Sequence, residues 1–147
     1  MRRRTRGREI ALQFLYQLDI RGDEVMDSLE NFVHGETDHE ESIQFALRLV
    51  RGTHRVRDEI DRMLSSVARN WDLKRMAALD RNILRMSIFE LLQCSDIPPK
   101  VTINEAIELG KRFSTANSGG FINGILDRVR LDQEGEVSQL EAFSPEG

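Results

Sequence analysis

The 147-residue sequence has one cysteine, few aromatic residues and no long apolar run. Because Cys94 has no second cysteine to pair with, the sequence predicts a core thiol in a protein of the reducing cytoplasm. No apolar stretch approaches the roughly 20 residues that a membrane-spanning helix needs. The basic start leads into an amphipathic segment, which does not resemble the apolar core of a signal peptide. These absences favour a soluble protein that does not contact a membrane.

The alternating apolar and polar residues of a half-buried strand are also missing, and helical spacing dominates instead. Ile10, Phe14 and Leu18 recur every four residues, which predicts an amphipathic helix that ends at Gly22. Further periodic segments bring the expected total to about seven helical pieces, with Trp71 packed at a junction between two of them. The predicted helices cover about 6–20, 24–34, 39–69 (bent near Gly52 and Thr53), 80–94, 102–113 and a last segment from 121. The sequence therefore predicts an all-α protein.

Two local signals refine the helix boundaries. Pro98 and Pro99 end any helix that precedes them, because proline lacks an amide hydrogen and restricts the residue before it. Thr102 and Glu105 have the spacing of a capping box, in which each side chain accepts from the backbone amide of the other residue. We therefore expect a helix to begin at Thr102.

The sequence contains none of the common catalytic arrangements. It lacks a glycine-rich phosphate loop after a strand, a nucleophile elbow and paired cysteines for zinc. Two histidines and two carboxylates fall between His34 and His39, but such a short polar segment is more often solvated than metal-bound. We expect neither an enzyme nor a bound metal or cofactor.

Charge is strongly segregated along the chain. The first eight residues contain five arginines and no acid, whereas the whole chain has a net charge of −4. Arginine binds phosphate oxygens through two parallel hydrogen bonds, so residues 1–8 are predicted to be a flexible arm that seeks nucleic acid. Residues 132–147 contain acids but no base, and we expect a disordered acidic tail there. Residues 9–131 then form a single helical domain.

Reading a single-stranded RNA also requires aromatic and polar groups near such an arm. Tyr16 lies on the helix that the arm enters, and Phe121 follows a loop of asparagine, serine and glycine residues. Both rings could instead pack in the core, and the sequence leaves that alternative open for each.

The sequence resembles the NusB family of bacterial transcription antitermination factors over nearly its full length, up to about residue 131. The resemblance depends on four ordered segments. They are Arg8-Glu9…Ala11-Leu12-Gln13…Leu15-Tyr16, Asp80-Arg81…Ile83-Leu84-Arg85…Glu90-Leu91, Asp96-Ile97-Pro98…Val101…Ile103-Asn104-Glu105-Ala106-Ile107-Glu108-Leu109 and Phe121…Asn123-Gly124…Leu126-Asp127.

This resemblance implies a compact bundle of about seven helices in two three-helix groups. NusB proteins bind the boxA element of nascent ribosomal RNA together with NusE, a ribosomal small-subunit protein, in the RNA polymerase antitermination complex. Carried over to matching positions, the RNA side comprises Arg2, Arg3, Arg4, Arg6, Arg8, Tyr16, Asn117, Ser118 and Phe121. The NusE side comprises a charged face with Arg75, Asp80, Arg81 and Asn82. Some members self-associate, so a homodimer stays open.

Three features depart from the family pattern, one of which is the acidic tail, and two other functions remain. Asn117 occupies a position that is often acidic, and Gly119 and Gly120 leave no basic side chain before Phe121. A helical adaptor that binds only protein is the first alternative. The second is an RNA-binding module similar to the front of some ribosomal RNA cytosine methyltransferases, although the chain has no room for their catalytic domain.

Overall fold

The computed structural model describes residues 2–68 and 72–142, with side chains as far as Gln133. These residues form seven α-helices, a short 3-10 helix (Asp23–Ser28) before the second of them, and no strand, which confirms the all-α prediction. The helices are α1 (Arg3–Arg21), α2 (Leu29–Glu36), α3 (Glu40–Arg55), α4 (Arg57–Val67), α5 (Ala78–Gln93), α6 (Pro99–Phe113) and α7 (Ser118–Ala142).

The helices pack as two groups of three around one apolar core. Helices α1, α2 and α3 contact one another, as do α5, α6 and α7, and α1 and α3 also rest on α5. Helix α4 follows α3 in the chain and packs against α5 and α7, so it connects the first group to the second. In the described residues, no helix is both long enough and apolar enough to cross a bilayer.

The start of α1 differs from the predicted flexible arm, because the helix already begins at Arg3. Its first turn is attached to two other helices: the Ser42 hydroxyl donates to the carbonyl of Arg3 (2.7 Å), and the Thr5 hydroxyl donates to Glu105 (2.7 Å). These tertiary contacts explain why the arginine-rich segment is helical. At the other end, Gly22 terminates α1 as predicted, with a positive φ of 100° that favours glycine.

The predicted long helix over 39–69 is two helices, separated at Val56. The bend predicted near Gly52 and Thr53 is wrong in its position, because α3 continues through both residues to Arg55 and the break lies at Val56. A Cβ atom at Gly52 would overlap the ring of Phe89 on α5. The glycine therefore serves the close approach of α3 and α5.

The capping-box prediction is also wrong. Helix α6 begins at Pro99, three residues earlier, where a missing amide hydrogen costs little. The Thr102 hydroxyl donates to Glu90 on α5 (3.1 Å), and Glu105 accepts from Thr5 on α1. Both side chains thus connect α6 to other helices and do not close its own first turn.

Cys94 is 2% exposed, which confirms the predicted core thiol, and its burial raises its pKa. Helix α7 continues to Ala142, into the segment predicted to be a disordered acidic tail. Residues 132–142 contain no proline, and Gly135 alone costs a helix only about 1 kcal/mol. Residues 143–147 and Trp71 lie outside the described residues.

Candidate nucleic-acid interface

Side-chain contacts join two helices of the candidate interface, α1 and α6. Thr5 of α1 donates to Glu105 of α6, and Glu9, one turn further along α1, pairs with Arg112, two turns further along α6. Phe113, the last residue of α6, borders the same groove as Tyr16 in the second half of α1. The segment that follows α6 lies toward the second half of α1.

The five N-terminal arginines fall into three environments. Arg2 and Arg3 are exposed, and among the described residues their guanidinium groups form neither an ion pair nor a hydrogen bond. Arg4 reaches Asp96 at 3.4 Å, and Arg6 lies 3.7 Å from both Glu9 and Glu36. Those two cations are partly exposed, and surface pairs of this kind are worth less than about 1 kcal/mol.

Arg8 is in the third environment, the core, where it is 2% exposed. Its guanidinium forms two charge-assisted bonds to Glu90, from Nε to Oε2 at 3.0 Å and from Nη2 to Oε1 at 2.8 Å. Glu105 lies 3.6 Å from the same group. The expectation that Arg8 belongs to a phosphate-binding arm does not fit this position, because its donors already face two carboxylates of α5 and α6.

Three further predicted RNA residues lie where α6 is connected to α7: Asn117 in the loop, and Ser118 and Phe121 in the first turn of α7. The Ser118 hydroxyl accepts from the amide of Thr115 at 3.1 Å and lies 3.0 Å from its hydroxyl oxygen. Ser118 is 2% exposed, so it orders the loop and presents no free hydroxyl at the surface. Asn117 is exposed, and Phe121 is half-buried against the core.

A cavity of about 350 Å³ joins the two groups of residues that the sequence assigned to different partners. Asn117, Ser118 and Phe121 border it from the loop and α7, whereas Arg75 and Asp80 border it from the segment before α5 and from α5 itself. The predicted RNA side and the predicted NusE side therefore meet at one cavity. Its remaining lining residues are Met76, Ala77 and Thr115.

The exposed charged face predicted around Asp80 and Arg81 is not present. Asp80 is 8% and Asn82 2% exposed. Arg81 donates twice to Asp19 Oδ2 (2.9 and 2.7 Å) and also to the carbonyls of Leu73 and Met76. Arg81 thus attaches the segment that borders the cavity to α1, and it is not available as an exposed partner contact.

Asp19 is the centre of this charged network. Burial alone would raise the pKa of its carboxyl, but hydrogen bonds from Arg81 and Asn82 and the charge of Arg85 outweigh burial and lower it. Arg85 also forms a two-bond pair with Asp61 of α4 (2.7 and 2.9 Å). The network therefore joins α1, α4 and α5.

Tyr16 does not lie at the cavity with Phe121. It borders a separate groove of about 440 Å³, together with Phe32, Leu79 and Phe113. Its ring is 37% exposed, and Ile20, one turn further along α1, is 60% exposed. The two rings that the sequence assigned to the RNA side thus border two different pockets.

Sequence reasoning missed three residues that border the cavity: Met76, Ala77 and Thr115. None belongs to a charged or aromatic motif, and only tertiary packing brings the segment before α5 against the loop after α6. In the described part of the chain, no three His, Cys, Asp or Glu side chains are arranged to hold a metal ion.

The chain matches proteins of one family in both sequence and structure. The sequence profile of the NusB family matches residues 5–130. The chain is 48% identical over 128 residues to the transcription antitermination protein NusB of Anaeromyxobacter dehalogenans, covering 86% of this chain and 89% of that protein. It is 43% identical over 149 residues to the NusB protein of Symbiobacterium thermophilum, with 96% and 97% covered.

Solved structures agree with this result. NusB from T. maritima superposes with a TM-score of 0.76 at 38% identity, over 86% of this chain and 89% of that one. A crystal structure of the antitermination factors NusB and NusE in complex with double-stranded RNA superposes with a TM-score of 0.81 at 25% identity, over 90% and 98%. With the sequence profile, the helix order and these relatives in agreement, the chain belongs to the NusB family.

Proposed function

We propose that this protein is an RNA-binding transcription antitermination factor. It binds the boxA element of nascent ribosomal RNA together with NusE, in the cytoplasm, as part of the RNA polymerase antitermination complex, and it catalyses no reaction. The observation that carries this proposal is a pair of exposed arginines at the start of α1 whose guanidinium groups have no partner among the described residues, on the helix that leads toward the loop with Asn117. A solved relative with the same fold is bound to NusE and RNA.

On the RNA side, the structure divides the predicted residues by availability. Within the described part of the chain, Arg2 and Arg3 have no acidic partner and are available to bind phosphates, and Arg4 and Arg6 can exchange weak surface pairs for phosphate contacts. Asn117 and Phe121 face the cavity, where a base can stack. Arg8 and Ser118 support the site from within, because their polar groups are engaged by Glu90 and Thr115.

On the protein side, two of the four predicted NusE contacts have internal roles. Arg81 and Asn82 both donate to Asp19, so they hold the site in shape. Arg75 and Asp80 border the same cavity as Asn117 and Phe121. If NusE reaches these two residues, it does so directly beside the RNA.

The test is RNA binding at several salt concentrations, with boxA and scrambled oligonucleotides, in the presence and absence of NusE. The variant Arg2→Ala/Arg3→Ala should lower the slope of log affinity against log salt by about 1.4, since each phosphate neutralised on a single strand contributes about 0.7. Arg55 and Arg62 are exposed on other helices, so Arg55→Ala/Arg62→Ala is the matched control and should leave the slope unchanged.

Two results would contradict the proposal. Equal affinity for boxA and scrambled RNA, with NusE present, would remove the antitermination element as the ligand. Negligible RNA binding that the arginine variants do not alter, together with retained NusE binding, would identify a helical adaptor for proteins.

A further inference from the structure

Two arginines from different helices converge on one exposed carboxylate beside the start of α1. Arg48 of α3 donates to both oxygens of Asp96, from Nη2 to Oδ1 at 2.7 Å and from Nη1 to Oδ2 at 3.2 Å. Arg4 of α1 lies 3.4 Å from the same Oδ2 atom. Two positive charges thus meet one negative charge, and all three side chains are between 40% and 47% exposed.

The guanidinium of Arg4 is held in this position by the protein. It stacks over the ring of Phe45, with 4.9 Å between Cζ and the ring centroid. Phe45 is buried and fits closely against α1, because a Cβ atom at Gly7 would lie only 3.2 Å from its ring. The cluster is therefore ordered before a ligand arrives, which reduces the entropy lost on binding.

Asp96 occupies a position that suits a phosphate group. A phosphodiester, like a carboxylate, offers two anionic oxygens that accept parallel hydrogen bonds from a guanidinium. Hydrogen bonds from Arg48 hold the pKa of Asp96 well below its usual range, so this carboxylate is charged at neutral pH. Because exposed ion pairs contribute little to stability, a phosphate can replace the carboxylate at small cost.

The neighbouring cations favour RNA as the source of this phosphate. Arg3 is in the same helical turn as Arg4, and neither Arg2 nor Arg3 has an acidic partner among the described residues. The backbone at Arg3 contacts α3 directly, since the Ser42 hydroxyl donates to its carbonyl at 2.7 Å. Consecutive phosphates of one strand can therefore contact the exposed arginines of this turn and then Arg48.

We propose that Arg48 is a further RNA-binding residue, which together with Arg4 binds one backbone phosphate, and that Asp96 occupies this phosphate site in the free protein. The inference rests on the proposed function and extends the RNA surface from α1 onto α3. Arg48 lies outside the arginine-rich start of the chain, and only the fold brings it next to Arg4. Asp96 weakens RNA binding, because the phosphate has to displace it.

The test is a double-mutant cycle between Arg48→Ala and Asp96→Asn, measured on the full chain with boxA RNA and NusE. Asp96→Asn should raise RNA affinity about fivefold, the upper range for one exposed ion pair that no longer competes. In the Arg48→Ala background, the same substitution should raise affinity less than about twofold.

The Asp96→Asn background isolates the contact of Arg48 with RNA. Arg48 has lost its acid there, so Arg48→Ala then removes a phosphate contact and no ion pair. It should lower the slope of log affinity against log salt by about 0.7, the value for one phosphate on a single strand. Arg48→Lys keeps the charge and should keep the slope.

Arg51 and Glu30 provide the matched control. They form an exposed pair of one arginine and one acid at 3.0 Å, and Arg51 lies one turn after Arg48 on the same helix. Glu30→Gln removes the same charge as Asp96→Asn, and Arg51→Ala in that background should leave the slope unchanged. Thermal unfolding of every variant should stay within about 5 °C of the wild type, because both pairs are exposed.

Two outcomes overturn the inference while leaving the proposed function intact. In the first, boxA is preferred over scrambled RNA but Arg48→Ala leaves the salt slope unchanged in the Asp96→Asn background, which makes the cluster a structural connection between helices. In the second, the Arg48 and Asp96 variants alter affinity for NusE and not for RNA, which assigns the cluster to the protein interface. Absence of any preference for boxA overturns the proposed function and this inference together.

Discussion

Arg8 and Glu90 form a buried two-bond ion pair between α1 and α5, although 82 positions separate them in sequence. The Thr102 hydroxyl bonds to the same carboxylate, so the pair also involves α6. Both partners are at most 2% exposed. The last arginine of the cationic start is therefore a structural residue, and the exposed ones before it are the candidates for RNA.

Replacing Arg8 should affect folding more than RNA binding. Arg8→Ala leaves the Glu90 carboxylate buried and uncompensated, which typically costs about 3–5 kcal/mol, measurable as a lower free energy of unfolding in urea. Arg3→Ala, at an exposed position on the same helix, should change stability by less than about 0.5 kcal/mol. Wild-type stability of Arg8→Ala combined with weakened RNA binding would reverse this assignment.

The lowered pKa of Asp19 predicts a stability loss in acid. Because the pKa of Asp19 in the folded protein lies below the usual aspartate value of 3.8, the unfolded chain binds the proton first as the pH falls. The contribution is therefore fully present above about pH 4 and disappears as the pH falls through the folded pKa. Asp19→Asn should lower the free energy of unfolding by about 2 kcal/mol at pH 7, the value of hydrogen bonds to a charged group. It should also weaken the dependence of that free energy on pH below pH 4.

Asp23 provides the matched comparison for Asp19. It pairs with Arg57 at 3.3 Å, but its side chain is 64% exposed, so Asp23→Asn should cost less than about 1 kcal/mol at any pH. If the Asp19 and Asp23 variants show the same pH dependence as the wild type, the charged network does not hold α1 against α5 in solution.

Two glycines in helices should respond to alanine in opposite directions. Gly52→Ala forces a Cβ atom into the ring of Phe89 and should destabilise the protein by about 1–3 kcal/mol. Gly124 in α7 has open space around its Cβ position, so Gly124→Ala should stabilise by up to about 1 kcal/mol through helix propensity. Thermal unfolding measures both, and Phe89→Leu should restore part of the loss in the Gly52→Ala background.

Phe121 should contribute more to RNA binding than another half-buried aromatic residue of the same region. Phe121→Ala should weaken boxA binding by about 1–3 kcal/mol, the cost of losing one base stacked on an aromatic ring. Phe113 borders the separate groove with Tyr16, and Phe113→Ala should leave RNA affinity within about twofold of wild type. Equal effects of the two substitutions on RNA binding, or an effect of Phe121→Ala on stability alone, would place Phe121 in the core.

Periodic patterns predicted the helices well, because a stripe such as Ile10, Phe14 and Leu18 is itself the face that the core buries. Glycine at the end of α1 was equally readable, since Gly22 adopts a backbone conformation that other residues avoid. Helix boundaries that depend on tertiary contacts could not be predicted from the sequence. Thr102 and Glu105 have capping-box spacing, but partners on α5 and α1 take both side chains.

The candidate site was predicted in part, for a similar reason. A cationic start and an aromatic residue after a polar loop are visible in the sequence. The sequence does not show which arginines are paired with an acid, because Glu90 and Asp19, the partners of Arg8 and Arg81, lie far away along the chain. The cavity itself requires the segment with Arg75 to meet the loop with Asn117, and no local pattern encodes that meeting.

Helix α1 connects the exposed arginines near its first turn to the Asp19 network near its last turn. Sixteen residues separate Arg3 from Asp19, which corresponds to about 24 Å along a helix axis. A transcript that engages both the cationic end and the cavity wall fixed through Arg81 has to extend over a comparable distance. The length of α1 would thus set a minimum length for an RNA that contacts both ends of the helix. Shorter oligonucleotides would bind at one end or the other but not at both.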